Sequence, residues 1–120
     1  MREAEPEAID RAVFDELRET VGGDPFLTEL VETYVQDAAR LVVAMREAIR
    51  VGRRDDLERA AHSLMGTSAS LGADVLSTLC RDLVALARTG ALAGADERLA
   101  AIEIEVARVQ QALRTLVRAD

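Results

Sequence analysis

Cysteine, histidine and aromatic side chains are scarce in this chain, and each scarcity removes a class of function. One cysteine, Cys80, cannot form an intrachain disulfide, which fits a reducing, cytoplasmic setting. One histidine beside one cysteine cannot build a His/Cys zinc site. Tryptophan is absent, and Phe14, Phe26 and Tyr34 are the only aromatics. The core must therefore be Leu, Val, Ile and Ala, a composition that suits closely packed helices and suits strands poorly. Long apolar runs are missing too. The longest, Leu41–Met45 and Leu83–Ala87, fall far short of the ~20 residues that span a bilayer. The first seven residues, Met1–Glu7, are charged and lack an apolar signal core. Positive charge is also in short supply, with 15 Lys+Arg against 22 Asp+Glu for a net charge of −7. That balance argues against nucleic-acid partners and against anionic membrane surfaces, because both need neutralising cations.

What the chain does have is helical periodicity. Its 120 residues make one domain, read as residues 7–120 behind a loose tail at 1–6. Apolar positions Ile9, Val13, Phe14 and Leu17 recur at three- and four-residue spacing, which predicts a short helix over 7–21 that Gly22-Gly23 stops. Asp24 as N-cap and Pro25 at the first helical position predict a long helix over 25–51, striped by Leu27, Leu30, Val31, Tyr34, Ala38, Leu41, Val42, Met45 and Ile49. Asp55, with Glu58 three residues on, has capping-box spacing and predicts a third helix to Ser70 or Leu71. Two more helices are expected over 73–89 and 95–118. In the last, Ile104 between Glu103 and Glu105 marks a second, partly exposed apolar strip. No segment alternates as a strand does. Short loops make successive helices antiparallel, so the expected fold is all-α: an up-down four-helix bundle, core about 24–118, with an additional short N-terminal helix.

The third helix carries the only histidine, His62. Advancing about 100° per residue places Leu57, Ala60, Ala61, Leu64, Ser68 and Leu71 in one narrow arc, the core face. His62 falls about 140° from the centre of that arc, on the outward side. Arg59, Gly66 and Ala69 flank it along the helix surface, with Ser70 a little further round and Met65 between the histidine and the core. A glycine inside a helix costs about 1 kcal/mol relative to alanine, so Gly66 asks for a reason. The reason suggested here is steric: without a side chain at 66, the imidazole edge stays open to a large partner. Pairing the next helix back through Gly72 brings Arg81 near the level of His62, and Arg88 leans back toward it.

The run Ala61-His62-Ser63-Leu64-Met65-Gly66, then Ser68, Leu71-Gly72-Ala73, Leu76, Leu79-Cys80 and Leu83, resembles the histidine-containing phosphotransfer (HPt) domain. The family pattern is Ala-His-x-Leu-Lys-Gly, a small-residue run, Leu-Gly-Ala, and Leu-x-x-x-Cys-x-x-Leu. The resemblance covers about residues 24–118, including Phe26-Leu27 and Asp55-Asp56-Leu57. It implies a four-helix bundle, His62 as phosphoacceptor, Gly66 as the spacer that admits the partner, and a docking surface around the histidine. On this chain that surface is read as Ser63, Met65, Ala69, Ser70 and Val84. Two positions depart from the pattern. Met65 stands where the family has a lysine that helps hold the phosphoryl group, and Val84 where it often has Glu or Gln. Arg81 or Arg88, with Arg59, is the expected replacement cation.

The resemblance further implies response-regulator receiver domains or a hybrid histidine kinase as partners. The chain is expected to act as a monomeric carrier rather than an enzyme. It shows no obvious magnesium site and no Gly-rich nucleotide loop, so no cofactor of its own is expected, the Mg²⁺ belongs to the receiver, and autophosphorylation is not expected. Two other readings remain open at this level: the phosphoacceptor domain of a chemotaxis-type kinase, and a helical adaptor that keeps the bundle without transferring phosphate.

Overall fold

The computed structural model describes residues 6–118. They form five helices and no strand: α1 (Arg11–Val21), α2 (Asp24–Val51), α3 (Arg54–Ser70), α4 (Asp74–Arg88) and α5 (Ala95–Arg118). The expected all-α class is therefore what these residues adopt. α2 packs against α3 and α5, α4 packs against α3 and α5, and α1 lies on α2. The four long helices thus enclose one core, filled by residues such as Leu27, Met45, Leu57, Leu64, Leu76, Leu83, Ile102 and Leu113. No described helix is long and apolar enough to cross a membrane.

Helix starts differ from the sequence reading, and each difference has a visible cause. α1 begins at Arg11 rather than residue 7 because Asp10 caps it, its carboxylate accepting from the amides of Ala12 and Val13. Gly23, not Asp24, is the N-cap of α2. The two positive-φ glycines, Gly22 and Gly23, turn the chain into the helix, and the Asp24 carboxylate pairs with Arg18 at 3.3 Å instead. The capping box at Asp55 and Glu58 does not form. α3 starts at Arg54, so Asp55 lies inside the helix, the N-cap is Arg53 with no side-chain cap, and the Glu58 carboxylate is turned toward Arg88 on α4.

The α3–α4 corner fixes how these helices face each other. Leu71 ends α3, Gly72 takes φ +86°, and the amide of Ala73 donates to the Ser68 carbonyl at 2.9 Å. This left-handed residue closes the helix as a glycine C-terminal motif does. The two helices then run antiparallel: Ser77 Oγ donates to the Met65 carbonyl at 3.0 Å near the turn, and Arg88 meets Glu58 at the far end. The N-terminal segment packs onto the same corner. The Asp10 amide donates to the Gly72 carbonyl at 2.8 Å, while Ile9 and Phe14 are buried. Burying two such side chains contributes roughly 1.5–3 kcal/mol each, so α1 and its lead-in are integral to the core. Of the tail expected at 1–6, residues 1–5 lie outside the described residues, and the Pro6 carbonyl accepts from Arg108.

A Cβ added at Gly72 would sit 2.9 Å from the Asp10 carbonyl oxygen and 3.1 Å from Val13 Cβ, on a backbone conformation that side chains rarely adopt. Gly72→Ala is expected to destabilise the chain by about 1–3 kcal/mol, seen as a lower thermal midpoint.

Candidate functional site

α3 has one fully closed face and one open face. Leu57, Ala60, Ala61, Leu64, Ser68 and Leu71, the arc expected from the helical wheel, are all buried, while His62 is exposed. The one polar member of that arc, Ser68, is satisfied by Tyr34 of α2, hydroxyl to hydroxyl at 2.8 Å. Nothing in the periodicity announced this pair, since Tyr34 reads simply as part of an apolar stripe. Burial pushes the Tyr34 phenol up to about 12, partly offset by the Ser68 hydrogen bond. Burial likewise pushes the Cys80 thiol up to about 12. A thiol so poorly ionised is a packing group and a poor nucleophile.

On the open face, His62 lies in a shallow depression of about 440 Å³ shared with Asp55, Glu58, Arg59, Ser63 and Arg88. Two of the three expected arginines, Arg59 and Arg88, are therefore brought to the histidine. Both already have carboxylate partners: Arg88 Nε donates to Glu58 Oε2 at 2.9 Å, and Arg59 lies 3.6 Å from Asp56. Arg81 does not line the depression, and its guanidinium donates to Thr78 Oγ1 at 3.2 Å. The acidic neighbours Asp55 and Glu58 were not singled out for the site by the sequence reading. Glu58 stands four residues before His62, a spacing that places two side chains on one helical stripe and so carried the signal.

The expected docking residues divide. Ser63, Ala69 and Ser70 are exposed beside Gly66, and Met65 is half-buried with its side chain packed on the core. Val84, expected at the exposed rim, is buried. It joins Cys80, Leu83 and Ala87 on the buried side of α4, which is therefore wider than the helical wheel gave it. Gly66 is different again. A Cβ built there meets no atom within 4 Å. The fold itself does not require glycine at this position. The Ser70 hydroxyl donates back to the Gly66 carbonyl at 3.1 Å.

The described residues hold no group of three or more His, Cys, Asp or Glu side chains that could bind a metal ion. The face thus offers one nucleophile, two arginines and an uncrowded approach. The model of the Hpt domain matches residues 29–112. The chain belongs to the Hpt domain family. Among solved structures, this Hpt domain is similar to histidine-containing phosphotransfer protein B (HptB) from Pseudomonas aeruginosa PAO1. The TM-score is 0.89 at 26% identity, over 97% of this chain and 99% of that one. It also shares its fold with the histidine-containing phosphotransfer protein ZmHP2 from maize, with a TM-score of 0.81 at 22% identity over 94% of this chain and 91% of that one. No curated protein matches the chain. The Hpt match begins inside α2, so α1 lies outside it, while the structural likeness to HptB extends over nearly the whole chain.

Two predictions test this account of α3. Gly66→Ala is expected to raise stability by up to about 1 kcal/mol in urea unfolding, since it removes a helix penalty and meets no neighbour. The second concerns alkaline pH. The folded chain holds the Cys80 proton to about 12 against an ordinary 9.0, and the Tyr34 proton to about 12 against 10.0. Their contribution is complete below pH 9 and is lost as pH rises toward 12, because the unfolded chain ionises first. Urea midpoints measured from pH 8 upward should fall across that window, and less steeply in a Tyr34→Phe/Cys80→Ala variant.

Proposed function

We propose that this Hpt domain is a phosphoryl carrier, taking a phosphoryl group on His62 from the aspartyl phosphate of a receiver domain and passing it to another receiver. The observation that carries the reading is the pairing of His62 with Gly66. The only histidine of the chain is exposed on a helix whose opposite face is closed, and one turn on stands a glycine that internal packing does not need. A partner that must come close supplies the need.

The chemistry asks little of the carrier. A neutral imidazole nitrogen attacks phosphorus, the N–P bond forms as the aspartyl O–P bond breaks, and the carboxylate leaves. Phosphoryl transfer depends on positioning and on stabilising charge over the equatorial oxygens. Arg59 and Arg88 stand where they can contribute charge. The chain has no lysine, so only arginine can take the part of the family's lysine that Met65 replaces. We assign Mg²⁺ and the acidic cluster to the receiver, and read the chain as a cytoplasmic monomer without autokinase activity. Phosphate flow from a receiver or a hybrid kinase suits the same face. The antiparallel registers of α3 with α4 support an up-down order for the four long helices.

Incubation with a radiolabelled, phosphorylated receiver is expected to label the chain. The label should be acid-labile and alkali-stable, and His62→Gln should abolish it. A chain that takes no label from any receiver of a panel is an adaptor, and the transfer reading fails.

A further inference from the structure

We propose that Glu58 is a positioning residue for the phosphoryl site, acting through Arg88; the proposal rests on His62 being the phosphoacceptor. Three observations converge on it. Glu58 lies one turn before His62 on the same face of α3, and both line the depression that Arg88 enters from α4. Arg88 Nε donates to Glu58 Oε2 at 2.9 Å, and among the described residues Glu58 is the side-chain partner of that guanidinium. The end of α4 that carries Arg88 is itself tied to the start of α3, where Arg54 donates to the Arg88 carbonyl at 3.5 Å.

A guanidinium presents five N–H donors in a rigid planar fork. Glu58 engages the Nε edge and thereby fixes the plane of the fork. The terminal amino groups then remain to donate to phosphoryl oxygens on His62. Left to itself, an arginine on the last turn of α4 has four rotatable bonds between backbone and charge, and its side chain is 61% exposed. Freezing that freedom before the phosphoryl group arrives is what a carboxylate in this place accomplishes. The Glu58 side chain is 31% exposed, so it is the more enclosed member of the pair.

The capacity to accept a hydrogen bond from Nε is what matters, so the amide of glutamine should serve where alanine cannot. The test is the equilibrium ratio of phosphohistidine to aspartyl phosphate when the chain is mixed with a phosphorylated receiver. Arg88→Ala and Glu58→Ala are each expected to lower it by roughly threefold to tenfold, the range for a partly exposed charge-assisted contact. The Glu58→Ala/Arg88→Ala double variant should match Arg88→Ala alone, and Glu58→Gln should restore at least half of the wild-type ratio. Thermal midpoints of all variants should stay close to wild type, since an exposed pair contributes little to stability. Glu58→Ala with a wild-type ratio, a double variant at the product of the two single effects, or no rescue by Glu58→Gln overturns the proposal. A wild-type chain that takes no label at His62 overturns the carrier reading and this one with it.

Discussion

Most of what is specific to this Hpt domain depends on the corner at Gly72. The residue carries φ +86°, and the space where its Cβ would stand is taken by the Asp10 carbonyl and Val13. A glycine there lets α3 end, α4 begin and the N-terminal segment dock at a single point. The corner sets the register of the α3–α4 hairpin, and the register does the rest. It puts Ser77 under the Met65 carbonyl and Arg88 against Glu58. It also seals Val84 and Cys80 inside while His62 stays out. A one-residue change in the loop would rotate α4 by about 100° against α3 and send a different side chain to the histidine.

Given that register, α3 has two opposed demands. One face must be dry and complete, and it is: even its serine is paired, with Tyr34. An unpaired hydroxyl at that depth would cost about 1–3 kcal/mol. On the proposed function the other face offers a nucleophile to a second folded protein, and there stability is given up. Gly66 costs about 1 kcal/mol relative to alanine, and no neighbour within the chain returns it. Ser70 and Thr67 bond back to carbonyls of their own helix, which satisfies both hydroxyls near the glycine without adding bulk.

How much of this could be read from the sequence follows from which forces act locally. Helix membership and the core arc of α3 depend on period alone, so every arc residue and the exposure of His62 were legible. The Hpt motif was legible because its residues lie close together in the chain. Other features were not, because each depends on pairing or packing that the helical period does not encode. Glu58 has capping-box spacing from Asp55, but α3 starts one residue before Asp55, and the carboxylate pairs with Arg88 of α4. Asp24 likewise goes to Arg18. Val84 sits at the edge of its helix's apolar arc, where a wheel gives an angle but not the distance to the next helix. Glu105, buried on α5 and paired with Arg108, belongs to the same class of surprise.

The pairings on the open face bear directly on the proposed chemistry. A carrier that must both take and release a phosphoryl group has to hold it weakly, because every contact that stabilises phosphohistidine also opposes the onward step. A buried histidine ringed by uncompensated cations would be a trap. Here the candidate cations are exposed and already share their charge with carboxylates, Arg88 with Glu58 and Arg59 with Asp56. Solvent attenuates the pull of these exposed guanidiniums on an incoming phosphate, while Glu58 keeps the hydrogen-bonding geometry of Arg88 in place. With Met65 in the position of the family's lysine, the nearest flexible point charge is absent and the remaining ones are tethered. On this reading the site is tuned for orientation more than for affinity, and the large electrostatic contribution to the transfer is left to the partner that brings the phosphate.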